Sequence, residues 1–393
     1  MAKHFSNTII DQILYSGIRN KHHLKIRKNG YFRHLLKLTF LLFYRKRKDL
    51  KTNSCRNIIN FIPSPNFQAY RNFLPANTSF VNTEDKSLLW IEWYLTLAFL
   101  VDYKPLQRKL FSKSGNISHR FIKEYNIEIL ICGHPTFFIT FLSYILNNQK
   151  KKVVTIQHGI YNLNFYQVLW FEKEIATHII VYGNYFKDLY ISQSVVENNL
   201  IVGSPYFESD NFNSKTKSIK INLIKGRAVF IGQQLYKVNS SIFEIYNEVL
   251  SAIYHNLKSK GIDFFYKPHP RENIEKSLDL ENRRNFKIYN NKNKKIFWED
   301  FDIFLSANSS LLLESYLQRK ICFQVELPNP EMAFDNFSNY TGIQLIKVNQ
   351  IKDFPFEGNY DFYCDDDYLN LVEKPVKSLL LIIADLLKMG ENK

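Results

Sequence analysis

A chain of 393 residues exceeds what one hydrophobic core usually supports, so the sequence predicts two domains of ordinary size. Hydrophobic residues make up 45% of the chain and glycines number only 13, which excludes collagen-like, fibrous and linker-rich classes. The formal net charge is +15, and residues 1–60 hold 14 Lys and Arg against 2 Asp. Charge gathered at one end favours an anionic membrane surface or a phosphate-bearing acceptor over nucleic acid, with a solvated basic face as the plain alternative.

The first 120 residues contain two apolar stretches that are too short to span a bilayer. Leu35–Tyr44 is followed by the basic run Arg45–Lys48 and is expected to lie in a membrane interface, whereas Leu88–Val101 is expected to be a core helix. No signal-peptide pattern opens the chain, and the four cysteines are widely spaced. We therefore expect a cytoplasmic protein with reduced thiols, peripheral on the inner face of the cell membrane.

From residue 126 onward, apolar strand-like runs alternate with helical runs. The expected strands are 127–132, 153–156, 177–182 and 200–202, and the expected helices are 135–147 and 184–192. Alternation of this kind with fully apolar strands predicts a parallel sheet that is covered on both faces.

The polar stretch 208–220 interrupts this alternation, which then starts again. The expected strands are 228–231, 263–266, 286–289, 301–305 and 321–325, and the expected helices are 241–258, 309–319 and 375–388. The sequence thus predicts two doubly wound α/β domains, 1–210 and 221–370, with ligand-binding loops that face a shared cleft. A C-terminal helix within 371–393 is expected to pack back on the first domain.

Two histidines stand where predicted strands end. His269 lies in a turn between Pro268 and Pro270, with Lys267 and Arg271 beside it, and a fixed imidazole there could bind or protonate a leaving phosphate. Lys267 and Pro270 are candidate nucleotide-binding residues, and Arg271 is a candidate substrate-binding residue. A rigid loop with a structurally bonded histidine is the alternative.

The second histidine, His158, lies between Gln157 and Gly159 after the predicted strand 153–156, and it could accept a proton from an acceptor hydroxyl. Gly159 would let substrate approach closely, and Gln157 would contact it. An ordinary histidine at a strand end is the alternative.

Small polar residues mark three further strand ends. Ser309 and Ser310 open the helix that carries Glu314, and hydroxyl groups beside free backbone N–H groups can bind phosphate without a metal. Ordinary N-capping by Asn308 or Ser309 explains the same pattern. Glycine turns at Gly232-Gln233 and Gly203-Ser204 follow two other strands. Gly232 and Gln233 are candidate nucleotide-binding residues, and Ser204 is a candidate substrate-binding residue.

Several well-known signatures are missing from the sequence. It has no phosphate-binding loop of the G-x-x-x-x-G-K-[ST] type, no G-x-S-x-G elbow and no G-x-G-x-x-G fingerprint. The triplet Asp365–Asp367 has no second carboxylate cluster with it, so we predict no metal site and no cofactor.

The turn at 266–271, YKPHPR, followed by the Ser309-Ser310 pair, resembles the bacterial sialyltransferases, polysialyltransferases and Kdo transferases of capsule and lipopolysaccharide synthesis. This resemblance implies the two-Rossmann GT-B fold and metal-independent transfer of a sugar from a CMP-linked donor to a glycan or glycolipid acceptor. By this resemblance, His269 would bind or protonate the CMP phosphate, Ser309 and Ser310 would hold it, and Glu314 would lie near the ribose or base.

The chain departs from this pattern at one motif. Those families use an acidic residue before a glycine as general base, whereas this sequence has Gln157-His158-Gly159. A His-Gly base also resembles teichoic-acid transferases, which move polyol phosphate from a CDP-linked donor. Sugar transfer remains the main interpretation, and the alternatives are polyol-phosphate transfer, a noncatalytic nucleotide- or glycan-binding protein and, from net charge alone, nucleic-acid binding.

Overall fold

The computed structural model describes residues 24–43, 58–61, 80–81, 85–101, 103–133, 136–157, 172–203, 217–221, 226–233, 240–270, 272–291, 294–327, 336–356, 358–365, 367–369 and 375–391. These residues fall into two compact units. The first contains the described residues up to 203 together with the last helix from Val376 onward, and the second contains 217–369.

The first unit is built on a six-stranded parallel sheet. Its strands are β1 Ile58–Asn60, β2 Phe80–Val81, β3 Ile129–Cys132, β4 Lys152–Ile156, β5 His178–Val181 and β6 Leu200–Val202. They lie in the order β2-β1-β3-β4-β5-β6, and every neighbouring pair is parallel. Its helices are α1 Leu24–Phe43, α2 Lys86–Leu100, α3 Lys104–Glu124, α4 Phe137–Asn148, α5 Asn184–Ser192 and the last helix, α11 Pro375–Glu391.

Burial on both faces explains why these strands are apolar throughout. On one face the alternate residues Ile129, Ile131, Val154 and Ile156 pack in one cluster with Leu380 and Ile383 of α11. The other residues of the same strands, such as Leu130 and Val153, are equally buried. Side chains alternate between the two faces of a strand, so a sheet that is covered on both sides requires apolar residues at every position.

The second unit has its own six-stranded parallel sheet. Its strands are β8 Arg227–Ile231, β9 Asp263–Lys267, β10 Lys287–Ile288, β11 Ile303–Ser306, β12 Ile321–Val325 and β13 Gln344–Ile346. The described α-helices are α6 Ser240–Ser259, α7 Ile274–Ser277, α8 Leu280–Asn285, α9 Lys294–Glu299 and α10 Ser310–Leu317, and two 3-10 helices span Phe337–Asn339 and Val348–Asp353. A separate antiparallel pair joins β7 Lys217–Ile221 to β14 Gly358–Phe362.

The strand order of the second sheet is β10-β9-β8-β11-β12-β13, the order of a Rossmann fold. From β8 the chain first winds outward through β9 and β10, and then it returns to the other side of β8 as β11. The order therefore reverses between β8 and β11, and ligands of open α/β sheets bind outside the carboxyl ends of the strands at such a switch point.

The predicted fold class, two Rossmann-like parallel-sheet units, is confirmed. The core helix predicted at Leu88–Val101 is α2, and it buries Leu88, Ile91 and Leu95. Two of the four cysteines, Cys132 and Cys322, are buried as free thiols. The structure also adds β1 and β2 to the first sheet, so that part of the first 120 residues completes the first unit.

Candidate functional site

Three polar segments leave the carboxyl ends of adjacent strands in the second unit. The His-Pro turn, Pro268–Pro270, follows β9, Gly232 and Gln233 follow β8, and Ala307–Ser309 follows β11. Because β8 lies between β9 and β11 in a parallel sheet, all three segments lie at one edge. This edge contains five of the residues proposed from the sequence and is the candidate site.

The His-Pro turn is closed by Glu272, which the sequence interpretation did not include. The backbone N–H of His269 donates to Oε2 of Glu272 at 2.8 Å, and the backbone N–H of Glu272 donates to the carbonyl oxygen of His269 at 2.8 Å. These reciprocal bonds fix the backbone of the turn, while the His269 residue itself remains exposed. The turn thus presents an accessible imidazole from a fixed backbone.

A chain of buried hydroxyl groups continues from this carboxylate into the unit. The Tyr266 hydroxyl donates to Oε1 of Glu272 at 2.7 Å, and its oxygen lies 3.1 Å from the Tyr246 hydroxyl oxygen. A tyrosine hydroxyl has one hydrogen, so Tyr246 must donate to Tyr266. The backbone of Gln233 in turn bonds to Tyr246. The network therefore ties the end of β8 to the His-Pro turn after β9.

Burial keeps the protons of this network in place. It raises the pKa of Glu272, although the bonds from Tyr266 and the His269 backbone offset part of the rise. Burial also raises the pKa of Tyr246 and Tyr266 well above the ordinary tyrosine value. Both hydroxyls therefore remain donors at neutral pH, and the network is a fixed support for the turn.

Because Gly232 has no side chain, there is room beside it for this network. A Cβ atom on Gly232 would stand 2.4 Å from the Tyr266 hydroxyl oxygen and 2.6 Å from Oε2 of Glu272. We expect Gly232→Ala to break the Tyr266–Glu272 bond and to lower the free energy of unfolding by about 1–3 kcal/mol. Urea unfolding would measure this loss.

Gly203→Ala is the matched control for that substitution. A Cβ atom on Gly203 would meet Ile382 at 3.5 Å and Ile180 at 3.7 Å, which are ordinary contacts. We expect this variant to stay within about 0.5 kcal/mol of the unsubstituted protein. If both variants had the same free energy of unfolding, the side chains around Gly232 would accommodate the added methyl group without loss of stability.

The switch point itself carries two buried polar atoms for which the described part of the chain offers no hydrogen-bond partner. Ser306, the last residue of β11, donates its hydroxyl to the carbonyl oxygen of Ile231 at 3.0 Å and so joins the two strands at this level. Gln233 lies two residues after Ile231, and Asn308 lies two residues after Ser306. Oε1 of Gln233 and Oδ1 of Asn308 are buried with no hydrogen-bond partner within the described residues. Buried polar atoms without partners are rare, so a ligand that donates hydrogen bonds would satisfy them.

Ser309 is the N-cap of α10. Its hydroxyl oxygen accepts a bond from the backbone N–H of Leu311 at 3.2 Å, which is the ordinary capping that the sequence left as an alternative. Capping and anion binding can coexist, because the remaining N–H groups of a first helical turn and the helix dipole still favour negative charge. Ser310 and Glu314, on the same helix, are half-buried.

The side chain of Lys267 is held by the segments that follow β10. Its Nζ atom donates to the Asn291 carbonyl oxygen at 2.9 Å and lies 5.3 Å from the Tyr289 ring centre and 4.9 Å from that of Phe297. Burial lowers the pKa of this amine. The structure thus gives Lys267 a packing role, and its nucleotide-binding role stays a prediction.

Gln157 is fully buried at the end of β4 in the first unit. Its side-chain oxygen accepts the backbone N–H of Tyr182 at 2.9 Å, which links the ends of β4 and β5. His158, Gly159, Ser204 and Arg271 lie outside the described residues. The roles given to these residues stay predictions.

A buried carboxyl group in the first unit was also missed from the sequence. Glu172 is 2% exposed, and burial raises its pKa to about 8, an effect that the Tyr190 hydroxyl partly offsets. Burial and the nearby Glu172 both raise the pKa of the Cys132 thiol at the end of β3. Glu172 is therefore largely protonated at neutral pH.

A cavity in the second unit lies apart from these strand ends. It has a volume of about 750 Å³ and is lined by residues of α6 and its neighbours, including Asn247, His255 and Asp279. It includes none of the strand-end residues, and the switch-point rule places ligands at the carboxyl edge. Within the described part of the chain, no group of three His, Cys, Asp or Glu side chains could hold a metal ion.

Two solved structures share the fold. The chain aligns with the UDP-GlcNAc 2-epimerase of Methanocaldococcus jannaschii, in complex with UDP-GlcNAc and UDP, at a TM-score of 0.53 and 10% identity, covering 84% of this chain and 99% of the other. It aligns with the Neisseria meningitidis UDP-GlcNAc 2-epimerase, bound to UDP-GlcNAc, at a TM-score of 0.51 and 14% identity over the same shares. At such identities the likeness shows the fold alone. No protein-family model and no curated protein matches the sequence.

The signals for the missed residues were partly visible in the sequence. Glu272 stands three residues after His269, a spacing at which a side chain can accept the backbone N–H of the turn. Tyr246 and Tyr266 gave no signal, because a tyrosine in an apolar helix or strand is read as core. For Asn308 the sequence indicates only a helix cap.

Proposed function

We propose that this protein is a metal-independent glycosyltransferase of the GT-B type that uses a nucleotide-activated sugar. The observation that carries the proposal is the pair of amide oxygens of Gln233 and Asn308, which are buried without a hydrogen-bond partner among the described residues. They lie beside the N-terminus of α10, at the switch point of a Rossmann-like sheet. A nucleoside phosphate matches this set, because its ribose hydroxyls donate hydrogen bonds while its phosphate oxygens accept them from the helix end.

The proposed donor is CMP-linked, which rests on the resemblance of the His-Pro turn and the Ser309-Ser310 pair to CMP-sugar transferases. In this proposal the leaving phosphate gains negative charge as the glycosidic bond breaks. His269 would donate a hydrogen bond or a proton to it, and the α10 dipole would stabilise the charge. His158 would remove the proton of the acceptor hydroxyl, the acceptor being a glycan or glycolipid.

A second candidate is suggested by two of the solved structures that share the fold, both UDP-GlcNAc 2-epimerases. In that case the nucleotide would be UDP-linked and the sugar would be isomerised without transfer to an acceptor. The same strand-end geometry would hold the diphosphate. The two candidates differ in the nucleotide that binds and in the fate of the sugar.

Thermal unfolding in the presence of CMP, CDP, UDP and GDP tests the proposal. A ligand at a hundred times its Kd stabilises the folded state by about 2.7 kcal/mol, and we expect CMP to raise the unfolding midpoint by several degrees. A shift with CDP alone would favour polyol-phosphate transfer, and a shift with UDP alone would favour the epimerase. Absence of a shift with all four nucleotides would reject the nucleotide site.

The variant Asn308→Asp makes this test specific to the strand ends. A carboxylate beside the phosphate should weaken nucleotide binding by roughly tenfold or more through charge repulsion. Asn148→Asp, at the exposed end of α4 in the first unit, is the control for a change in net charge. Incubation with CMP- and CDP-linked donors then separates enzyme from binding protein, because a binding protein releases no nucleotide.

A further inference from the structure

Helix α1 presents a row of exposed apolar side chains. Phe32, Leu36 and Phe40 are 55%, 55% and 61% exposed, whereas large apolar side chains on a packed helix are usually covered. They are spaced four residues apart, and in an α-helix this places them on one side, each about 40° round from the last. The outer face of α1 is therefore a continuous apolar strip.

The opposite side of α1 is already used for packing. Leu38 and Leu42 are buried in one cluster with Leu89 of α2, and Trp90 and Trp93 pack around them. Two polar contacts fix the helix further. The Trp93 indole N–H donates to the Thr39 hydroxyl at 3.0 Å, and Nε2 of His34 lies 2.9 Å from a carboxylate oxygen of Glu92. Because the inner face is held by α2, the apolar strip cannot be buried by rotating the helix.

Charge on α1 is of one sign only. The helix contains five basic residues and no acidic one: Lys25, Arg27, Lys28, Arg33 and Lys37. Arg33 and Lys37 are exposed and lie beside the apolar strip on the helix surface. Positive charge also lies on both sides of α1 in the sequence, because residues 1–60 contain 14 Lys and Arg in total, those of α1 included, against 2 Asp. An apolar strip bordered by cations is complementary to a surface that has an apolar layer beneath anionic headgroups.

We propose that the outer face of α1 docks the protein on an anionic phospholipid bilayer, with Phe32, Leu36 and Phe40 entering the headgroup region. Arg33 and Lys37 then lie at the level of the lipid phosphates. None of the described helices is long and apolar enough to cross a membrane, and α1 with its five cations lies along the surface. This proposal concerns attachment and is independent of the nucleotide site.

Cosedimentation with vesicles tests the proposal directly. Vesicles of phosphatidylcholine with about 30% phosphatidylglycerol should bind the full chain, and vesicles of phosphatidylcholine alone should bind it much less. The triple variant Phe32→Ser, Leu36→Ser, Phe40→Ser should lower the partition coefficient on the anionic vesicles roughly 30-fold or more, because three apolar side chains no longer enter the interface. The pair Arg33→Gln, Lys37→Gln should lower it about 10- to 30-fold.

Matched controls test whether vesicle binding depends on the outer face of α1 or on exposed apolar and charged residues in general. Val196→Ser, Leu280→Ser and Leu381→Ser together remove three exposed apolar side chains elsewhere, and Lys276→Gln with Arg284→Gln removes two exposed charges. Both controls should bind anionic vesicles as the unsubstituted protein does. All variants alter exposed residues, so their thermal unfolding midpoints should agree, and the charge pair tests the surface even if the apolar variant folds poorly.

Three outcomes would overturn the proposal. They are failure of the unsubstituted chain to bind anionic vesicles, equal binding by the triple variant, and equal binding to both kinds of vesicle. A dimer that becomes a monomer in the triple variant, with no vesicle binding, would instead make this face an interface between two copies.

Discussion

Replacing His269 with alanine should lower the rate of nucleotide release from the preferred donor by roughly two to four powers of ten if the imidazole acts as a proton donor. The backbone of the turn is held by Glu272 through the His269 N–H and carbonyl groups, which alanine retains. Loss of the side chain therefore removes the imidazole and leaves the loop in place. Turnover should be measured with the donor whose nucleotide gives the largest thermal shift.

His255→Ala is the matched control for this experiment. His255 is an exposed histidine of the same unit, but it lies on α6, away from the strand ends. We expect its variant to retain full turnover, and both variants to unfold at the temperature of the unsubstituted protein. Near-normal turnover of His269→Ala would remove His269 from the mechanism and leave the turn as a structural feature.

The second large effect concerns stability, and it should appear in Glu172→Gln. In the unfolded chain a glutamate ionises with a pKa near 4.5, whereas burial raises the folded-state pKa of Glu172 to about 8. Below the unfolded value both states bind the proton, so the folded state has no penalty. As pH rises towards 8 the unfolded state alone releases the proton, and stability falls by up to about 1.4 kcal/mol per pH unit.

As pH rises from 5 to 7, ionisation of Glu172 in the unfolded chain should therefore lower the free energy of unfolding by about 2–3 kcal/mol. The glutamine of Glu172→Gln stays neutral in both states, so the variant should not show this loss. Urea unfolding at several pH values would measure it, and the variant should be the more stable protein at pH 7. Glu174→Gln, an exposed neighbour two residues along, is the control and should follow the unsubstituted curve. A stability deficit of the variant that grows as pH rises would instead show that the carboxylate is ionised and paired in the folded protein.

Local pattern was sufficient for most elements of the two sheets. The strands β4, β8, β9 and β12 differ from their predicted bounds by at most one residue, because each is a run of apolar residues that is bounded by polar turns. The pattern could not find β1 and β2, which are three and two residues long. β1 pairs with β3, some seventy residues further along, and such short strands exist only because a distant neighbour completes their hydrogen bonds.

Part of the candidate site was also predictable from the local sequence pattern. His269 and Ser309 follow strands that the pattern located, so their positions at the carboxyl edge could be inferred. The supporting contacts could not be inferred, since Tyr246 and Tyr266 meet Glu272 only after a helix, a strand and a turn have packed together. The sequence predicts that Gly232 is a binding residue, and the fold adds that the absence of its side chain makes room for that network.

The sequence by itself determined the alternation of apolar strands and helices, the location of the polar loops at strand ends and the gathering of positive charge at one end, because each depends on neighbours along the chain. Only the tertiary structure decided which strand lies beside which and which face of α1 stays exposed. It also decided which carboxyl groups are buried. These depend on contacts between distant segments, and burial, which sets both packing and the pKa of Glu172, is a property of those contacts.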